Sequence, residues 1–313
     1  MFYERVVELV KTVNYRGNYH VKIIKPLMEE FNISERVVYR RIKSYTGKTI
    51  TQLVQEIRTP DKNMVDKALL KCNSMKEMRE FLNLKESDII FNKVFEKYYG
   101  TSTFTSAKAH FILKQPNKNY NPSIDDNLSL IVSQCIGDGS LDRIRKAIRI
   151  DHSTWQYDYL KIKVSLFNRA FPESPGIENI KFRKHIQGHE YVSWYSKKLP
   201  KKYINDIINL KKHEMFKYLT PLGAFLLYMD DGSLSINEEY STYRLSIAFS
   251  EHYPELGAEY VKLFKSFGFS FNVRENAVYI SSKPIIASFI KNMILPFKNY
   301  IPESLEYKIN MKI

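Results

Sequence analysis

The chain has only two cysteines, Cys72 and Cys135, in 313 residues. That excludes a disulfide framework and the spacing of a zinc ribbon, and it suits a reducing compartment. Glycine is scarce at 11 residues, and there is no Walker loop, no dinucleotide fingerprint and no nucleophilic triad signature. Long apolar runs are missing as well. No stretch could span a bilayer, and the N-terminal segment MFYERVVELVKTVNYRG lacks the basic, apolar and small-residue order of a signal peptide, so a cytoplasmic location is expected. Acidic charge is also short, with 34 Asp and Glu against 48 Lys and Arg and a net charge of +14. Such an excess favours a polyanionic partner, nucleic acid first, over a surface that is merely solubilising. The excess is not one basic tail, because residues up to 110 and residues after 110 each carry +7.

Apolar residues are plentiful, at 44%, enough for two or three cores. The stretch KQPNKNYNPSIDD, residues 114–126, is rich in Pro, Asn and charge, and a linker is placed on it over residues 113–125. Before it, residues 1–112 show apolar positions at helical spacing, such as Leu27, Phe31, Val38 and Ile42, and predict an all-helical domain. Two segments there repeat in equal length, SERVVYRRIKSYTG from Ser34 to Gly47 and SDIIFNKVFEKYYG from Ser87 to Gly100. Each opens on a Ser suited to an N-cap and closes on a Gly suited to a helix stop, and a short helical pattern precedes each. The unit reads as helix, turn, helix. Val38 and Ile42, then Phe91 and Phe95, form the buried stripes, leaving Arg36, Tyr39, Arg40 and Lys43, with Asn92 and Lys93, to face a DNA groove. This run, NISERVVYRRIKSYTGKTITQLVQEIR followed by VFEKYYGTST, resembles the bipartite DNA-binding domain of the AraC/XylS regulators, although no sugar-binding sensor domain accompanies it.

Beyond residue 126 a longer repeat appears. LSLIVSQCIGDGSL and FLLYMDDGSL share a terminal DGSL, and their aspartates, Asp138 and Asp231, stand 93 positions apart. Each motif is an apolar helical run that ends in Asp-Gly, and the second has Thr220 and Pro221 as cap and first-turn residues. An Asp at a helix C-terminus meets an unfavourable dipole. If the two helices pack closely through Ser133, Gly137, Gly223 and Ala224, the two carboxylates meet, and divalent cations would relieve their repulsion. After each motif the pattern alternates. Ile148 and Ile150 oppose Arg149 and Asp151, Ile180, Phe182 and Ile186 oppose Lys181, Arg183 and His185, Leu245 and Ile247 oppose Arg244, and Phe269, Phe271 and Val273 oppose Asn272 and Arg274. Period two with one polar, partly basic face predicts antiparallel strands packed on helices, the open face being suited to a duplex.

The order of motif helix, strands, helix, hairpin and helix, given twice, resembles the LAGLIDADG homing endonucleases over residues 126–313. The resemblance implies an α+β fold with two pseudo-symmetric LAGLIDADG (αββαββα) subdomains, residues 126–219 and 220–313, preceded by the all-α helix-turn-helix domain. It further implies a monomeric, site-specific double-strand DNA endonuclease in which Asp138 and Asp231 hold Mg²⁺ (or Mn²⁺), with Lys298 in LPFKNYIPESL as a catalytic basic residue and Lys198 as a weaker counterpart. DNA contacts are expected at Arg149, Lys181, Arg183, His185, Arg244, Asn272 and Arg274. The sequence departs from the family where Ser133 and Leu226 replace the usual motif glycine. Two alternatives remain open: a sequence-specific DNA-binding transcriptional regulator that keeps the fold without cutting, and an RNA-splicing maturase. Asp230 beside Asp231 could be a second ligand, but adjacent helical residues point about 100° apart, so one of the two is read as serving solubility or a backbone contact; His185 and His189 are read as flanking a hairpin turn rather than binding metal. The abundance of Lys, Asn, Ile and Tyr fits an A+T-rich bacterial or phage genome.

Overall fold

A computed structural model of the chain describes residues 1–13, 18–82, 84, 88–185 and 188–312, without the side chains of residues 88–90. The chain divides into two compact units, Met1–Phe111 and Ile112–Ile313. Among the described residues no helix is long and apolar enough to cross a membrane.

Helices α1 (Phe2–Thr12), α2 (Lys25–Phe31), α3 (Glu35–Thr46) and α4 (Ile50–Arg58) build the first half of the first unit. Helices α5 (Lys62–Lys71), α6 (Met75–Phe81), α7 (Asp88–Tyr99) and α8 (Phe104–Lys114) follow. Local chemistry sets several of these ends. The Thr49 hydroxyl accepts from the Gln52 N–H while the Gln52 amide oxygen accepts from the Thr49 N–H, a reciprocal cap on α4. Asp61 and Ser74 accept from the N–H groups of Met64 and Glu77 to start α5 and α6. Gly47 and Gly100 stop α3 and α7 at φ +70° and +68°, a region that costs a residue with a Cβ. Ser34 holds the N-cap position of α3 without a capping side-chain bond, contrary to expectation; the cap expected at Ser87 lies outside the described residues. Two separate apolar clusters result. Val6, Val10, Leu27, Val38, Ile42 and Val54 form one, and Val65, Leu69, Met78, Phe91, Phe95 and Phe104 the other.

The second unit is α+β. Helix α9 (Asp126–Ile136) leads into β1 (Gly139–Asp142) and β2 (Ala147–Ser153), then α10 (Tyr157–Ala170), β3 (Lys181–Lys184), β4 (Glu190–Tyr195), α11 (Lys201–Ile207) and the one-turn α12 (Lys212–Met215). The sequence then repeats itself as α13 (Pro221–Asp231), β5 (Gly232–Asn237), β6 (Thr242–Ala248), α14 (Leu256–Ser266), β7 (Asn272–Arg274), β8 (Ala277–Ile280) and α15 (Lys283–Phe289). The sheets have matching antiparallel orders, β1-β2-β4-β3 and β5-β6-β8-β7. Alternation explains β2, where Ile148 and Ile150 are fully buried and Arg149 and Asp151 lie on the opposite face.

The expected strand through Phe269 and Phe271 starts only at Asn272. Both phenylalanines instead pack beside Phe289, at ring separations of 5.3 and 5.5 Å, and aromatic burial takes precedence over period two. Phe182, expected in the core, is 64% exposed and lies against the ring of Tyr157. The segment read as a linker is held along the second unit. The Lys291 ammonium donates to the carbonyls of Leu113 and Gln115 and to the Asn117 side chain, and the Tyr120 N–H donates to the Pro296 carbonyl at 2.9 Å. Proline and asparagine exclude a helix there, but they leave backbone carbonyls free to accept from Lys291.

Candidate nucleic-acid interface and buried acidic centre

Register fixes which side chains share a sheet face. In the first sheet Arg149 pairs with Ser140 and Tyr195, Asp151 and Lys181 both pair with Ser193, and Arg183 pairs with Tyr191. Directly opposed residues point to one side, so Arg149, Lys181 and Arg183 lie on one open face, with His185 exposed just beyond β3. Arg149 is oriented there by Asp151 at 2.7 Å and by the Tyr195 ring. In the second sheet Arg244 pairs with Ser235, while Asn272 with Tyr279 and Arg274 with Ala277 occupy the same face. Arg244 stacks over Tyr279 at 5.3 Å. A cleft of about 330 Å³ opens among Arg244, Ser246, Arg274, Asn276 and Tyr279.

On the first unit, Arg36, Tyr39, Arg40 and Lys43 are all exposed along α3, while Val38 and Ile42 are buried. Their spacing of three to four residues puts them on one side of the helix. Asn92 and Lys93 are exposed on α7.

The motif helices α9 and α13 cross closely. A Cβ on Gly223 would stand 2.3 Å from the Ser129 hydroxyl oxygen, and one on Gly137 would stand 2.4 Å from Asp230 Oδ2. The close approach uses Ser129, Gly137 and Gly223, while Ser133 and Leu226, which replace the motif glycine, are simply buried. At the N-terminal end of the pair, Thr220 donates to Asp126 through its hydroxyl at 2.6 Å and to the Ser129 hydroxyl through its N–H at 2.9 Å. Thr220 thus ties the two helices together and does not cap its own.

At the C-terminal ends the acids are sorted. Asp230 is wholly buried, with Lys163 of α10 at 2.6 Å, the Tyr159 hydroxyl donating to it at 2.9 Å and the Asp138 N–H at 3.3 Å. Of the two roles expected here, solubility or a backbone contact, the buried Asp230 makes the backbone contact, to the Asp138 N–H, and adds the Lys163 ion pair; the residue just before the motif aspartate is the one turned inward. The Asp138 side chain is a third exposed and lies 3.4 Å from Nδ1 of the buried His152. Lys308 donates to the carbonyls of Met229 and Asp230 at 2.6 and 3.0 Å. Burial first, and then the Asp230 charge, pushes the Asp138 carboxyl up to about 6. The same causes, with Asp138 added, push Asp231 to about 7. Burial and the Lys163 charge press His152 down to about 3, so its imidazole is neutral. Burial lowers the Lys308 ammonium from its ordinary value.

Three carboxylates therefore share the centre with two buried lysines. Lys298 lies exposed on the turn Leu295–Tyr300, where Phe297 is the buried residue, and Lys198 is exposed as well. The basic groups at the centre are Lys163 and Lys308. Lys163 was legible, since it falls on the apolar stripe of α10 with Tyr159, Leu160, Val164 and Phe167; His152 likewise continues the buried alternation of Ile148 and Ile150. Lys308 carried no such signal. Among the described residues the group of three whose possible metal-ligand atoms lie within 4.8 Å of one another is Asp138, His152 and Asp230. Mg²⁺ demands an octahedron of oxygens. A set with an imidazole and an ammonium already against one carboxylate does not fit it.

The second unit has a LAGLIDADG-like fold. No family model matches the chain, and no curated protein does. Among solved structures the chain resembles the N-terminal LAGLIDADG domain of DUF199/WhiA, with 15% identity, a TM-score of 0.34, and coverage of 62% of this chain and 91% of that one. It also resembles full-length DUF199/WhiA from Thermatoga maritima, with 16% identity, a TM-score of 0.37, and coverage of 64% of this chain and 63% of that one. The expectation of a cleaving homing endonuclease is corrected: both of these neighbours are WhiA structures, and at this chain's own centre Lys163 lies 2.6 Å from the Asp230 carboxylate while Lys308 donates to the carbonyls of Met229 and Asp230.

Proposed function

We propose that the protein is a sequence-specific duplex-DNA-binding protein of regulatory type that occupies its site without cutting it. The observation that carries this reading is the pair of open sheet faces, each with basic and amide side chains held on one side by register: Arg149, Lys181 and Arg183 on one, Arg244, Asn272 and Arg274 on the other. Arginine reads guanine bidentately and asparagine reads adenine, whereas lysine meets phosphate. Tyr195 and Tyr279 stiffen the two arginines, which lowers the ordering cost of a base contact. The exposed row on α3 adds a second basic surface with helix-turn-helix form, bipartite as in the AraC/XylS resemblance, and the net charge of +14 favours the polyanion throughout. Differences between the two sheets imply an asymmetric target.

Selection from a randomised duplex library, followed by footprinting of the enriched sequence, tests the reading. Enrichment of one asymmetric sequence with intact strands after incubation with Mg²⁺ or Mn²⁺ is expected. Binding that stays equal for all sequences would overturn the specific reading, and strand scission would overturn the non-cutting one.

A further inference from the structure

The fold resemblance implies metal at the motif aspartates, and the residues present do not fit that arrangement. Two observations besides the carboxylates point to what the centre holds instead. The first is Lys163, whose ammonium lies 2.6 Å from Asp230 Oδ1 with both side chains fully buried. The second is His152, whose side chain is 1% exposed, whose Nδ1 lies 3.4 Å from Asp138 and whose Nε2 is buried with no hydrogen-bond partner among the described residues. Asp138, His152 and Asp230 each bring one donor atom within 4.8 Å of the others, a nitrogen and two oxygens. That donor set suits Mn²⁺ or Zn²⁺ better than Mg²⁺.

We propose that Asp138, His152 and Asp230 form a transition-metal donor set closed by Lys163, whose ammonium serves as its resident cation, so that the native protein takes no divalent ion there and removal of Lys163 opens the site. The geometry supports each part. Asp230 reaches the set only because Gly137 has no side chain. Tyr159, one turn before Lys163 on α10, donates to the same carboxylate and holds it in place. A divalent ion beside the ammonium would meet a like charge at short range in a dry environment, where such repulsion is strong. With Lys163 gone, the buried Asp230 charge lacks its counter-ion, and a metal is the available replacement. The inference is independent of DNA binding.

The test uses the full chain. Mn²⁺ binding is followed by electron paramagnetic resonance, and thermal unfolding is followed with EDTA, Mg²⁺, Mn²⁺ or Zn²⁺. The wild type is expected to bind no Mn²⁺ stoichiometrically and to unfold at the same temperature in all four conditions. Lys163→Ala is expected to bind one Mn²⁺ at least tenfold more tightly than the wild type and to unfold later with Mn²⁺ or Zn²⁺ than with Mg²⁺. Adding His152→Ala should abolish both effects. Lys163→Gln, whose amide can still donate to Asp230, keeps the test available if Lys163→Ala does not fold. Stoichiometric Mn²⁺ binding by the wild type, or metal indifference in both Lys163 variants, would overturn the proposal.

Discussion

Gly137 and Asp230 hold the same place in the two repeats, each directly before a motif aspartate, and they meet: a Cβ on the glycine would stand 2.4 Å from the Asp230 carboxylate. One repeat supplies space and the other a charge that fills it. The centre is therefore asymmetric even though the fold around it is nearly two-fold. The Lys163–Asp230 pair depends on this asymmetry.

Gly137→Ala should destabilise the second unit by about 1–3 kcal/mol, because the fully buried, ion-paired Asp230 has no open direction in which to yield. Urea unfolding monitored by tryptophan fluorescence reads the change through Trp194, which is buried in β4 of the same unit. A loss under a few tenths of a kcal/mol would show that the two helices can part.

Asp230→Asn leaves the Lys163 ammonium buried without its counter-charge, and a loss of about 3–5 kcal/mol is expected. Asp231→Asn removes a carboxyl that burial disfavours, so it should stabilise the protein at about pH 8 by on the order of 1–2 kcal/mol, the smaller end reflecting solvent screening at a partly exposed group. Opposite signs at adjacent aspartates are what denaturation curves should show. Equal effects would contradict the sorting of the two side chains.

The pH dependence follows from the same centre. Asp138 and Asp231 have raised folded values, about 6 and about 7, so the folded state binds protons more readily than the unfolded chain. Their contribution improves as pH falls from about 8 through 6 and is lost as pH rises through 7. His152 has a depressed folded value of about 3, and its contribution is lost below the unfolded value near 6.5. Stability should therefore rise as pH falls from about 8 towards about 5, with the loss at His152 offsetting part of the gain at the two aspartates below about pH 6.5. In His152→Gln the rise below about pH 6.5 should be steeper. A melting temperature that falls steadily from pH 8 to 6.5 would contradict both aspartate shifts.

If the sheets and α3 contact phosphate and base edges, Arg244→Ala should relax preference at one base position, with a loss of about 1–3 kcal/mol. Lys181→Ala or Lys43→Ala should weaken binding to all sequences and reduce the slope of log K against log salt by about one each. Fluorescence anisotropy across a salt series separates the two behaviours. Uniform weakening from Arg244→Ala would remove it from base recognition.

Lys291→Met removes the donor that holds the carbonyls of Leu113 and Gln115. Limited proteolysis should then cut between residues 113 and 120 several times faster, with no matching change elsewhere. Unchanged cleavage would mean that the Tyr120 contacts with Pro296 and Phe297 suffice.

The sequence by itself determined the local and periodic features. The apolar stripe of α3, the alternation in β2 and the paired DGSL motifs set element type and the two-fold repeat, because periods of 3.6 and 2 follow directly from backbone geometry. It also placed Lys181 and Arg183 on one side of β3, since face within a strand is a matter of parity, whereas Arg149 of β2 joins them through the strand register. Tertiary structure decided what depends on approach between distant segments. Which of two adjacent aspartates turns inward depends on the space left by Gly137, 93 positions earlier. That the buried Asp230 has an ammonium beside it depends on Lys163 arriving from a separate helix. The strand expected through Phe269 and Phe271 gave way to ring packing around Phe289, and the Pro- and Asn-rich stretch was held by Lys291. Composition describes a residue's own preference, whereas burial of a charge is settled by the partner that reaches it.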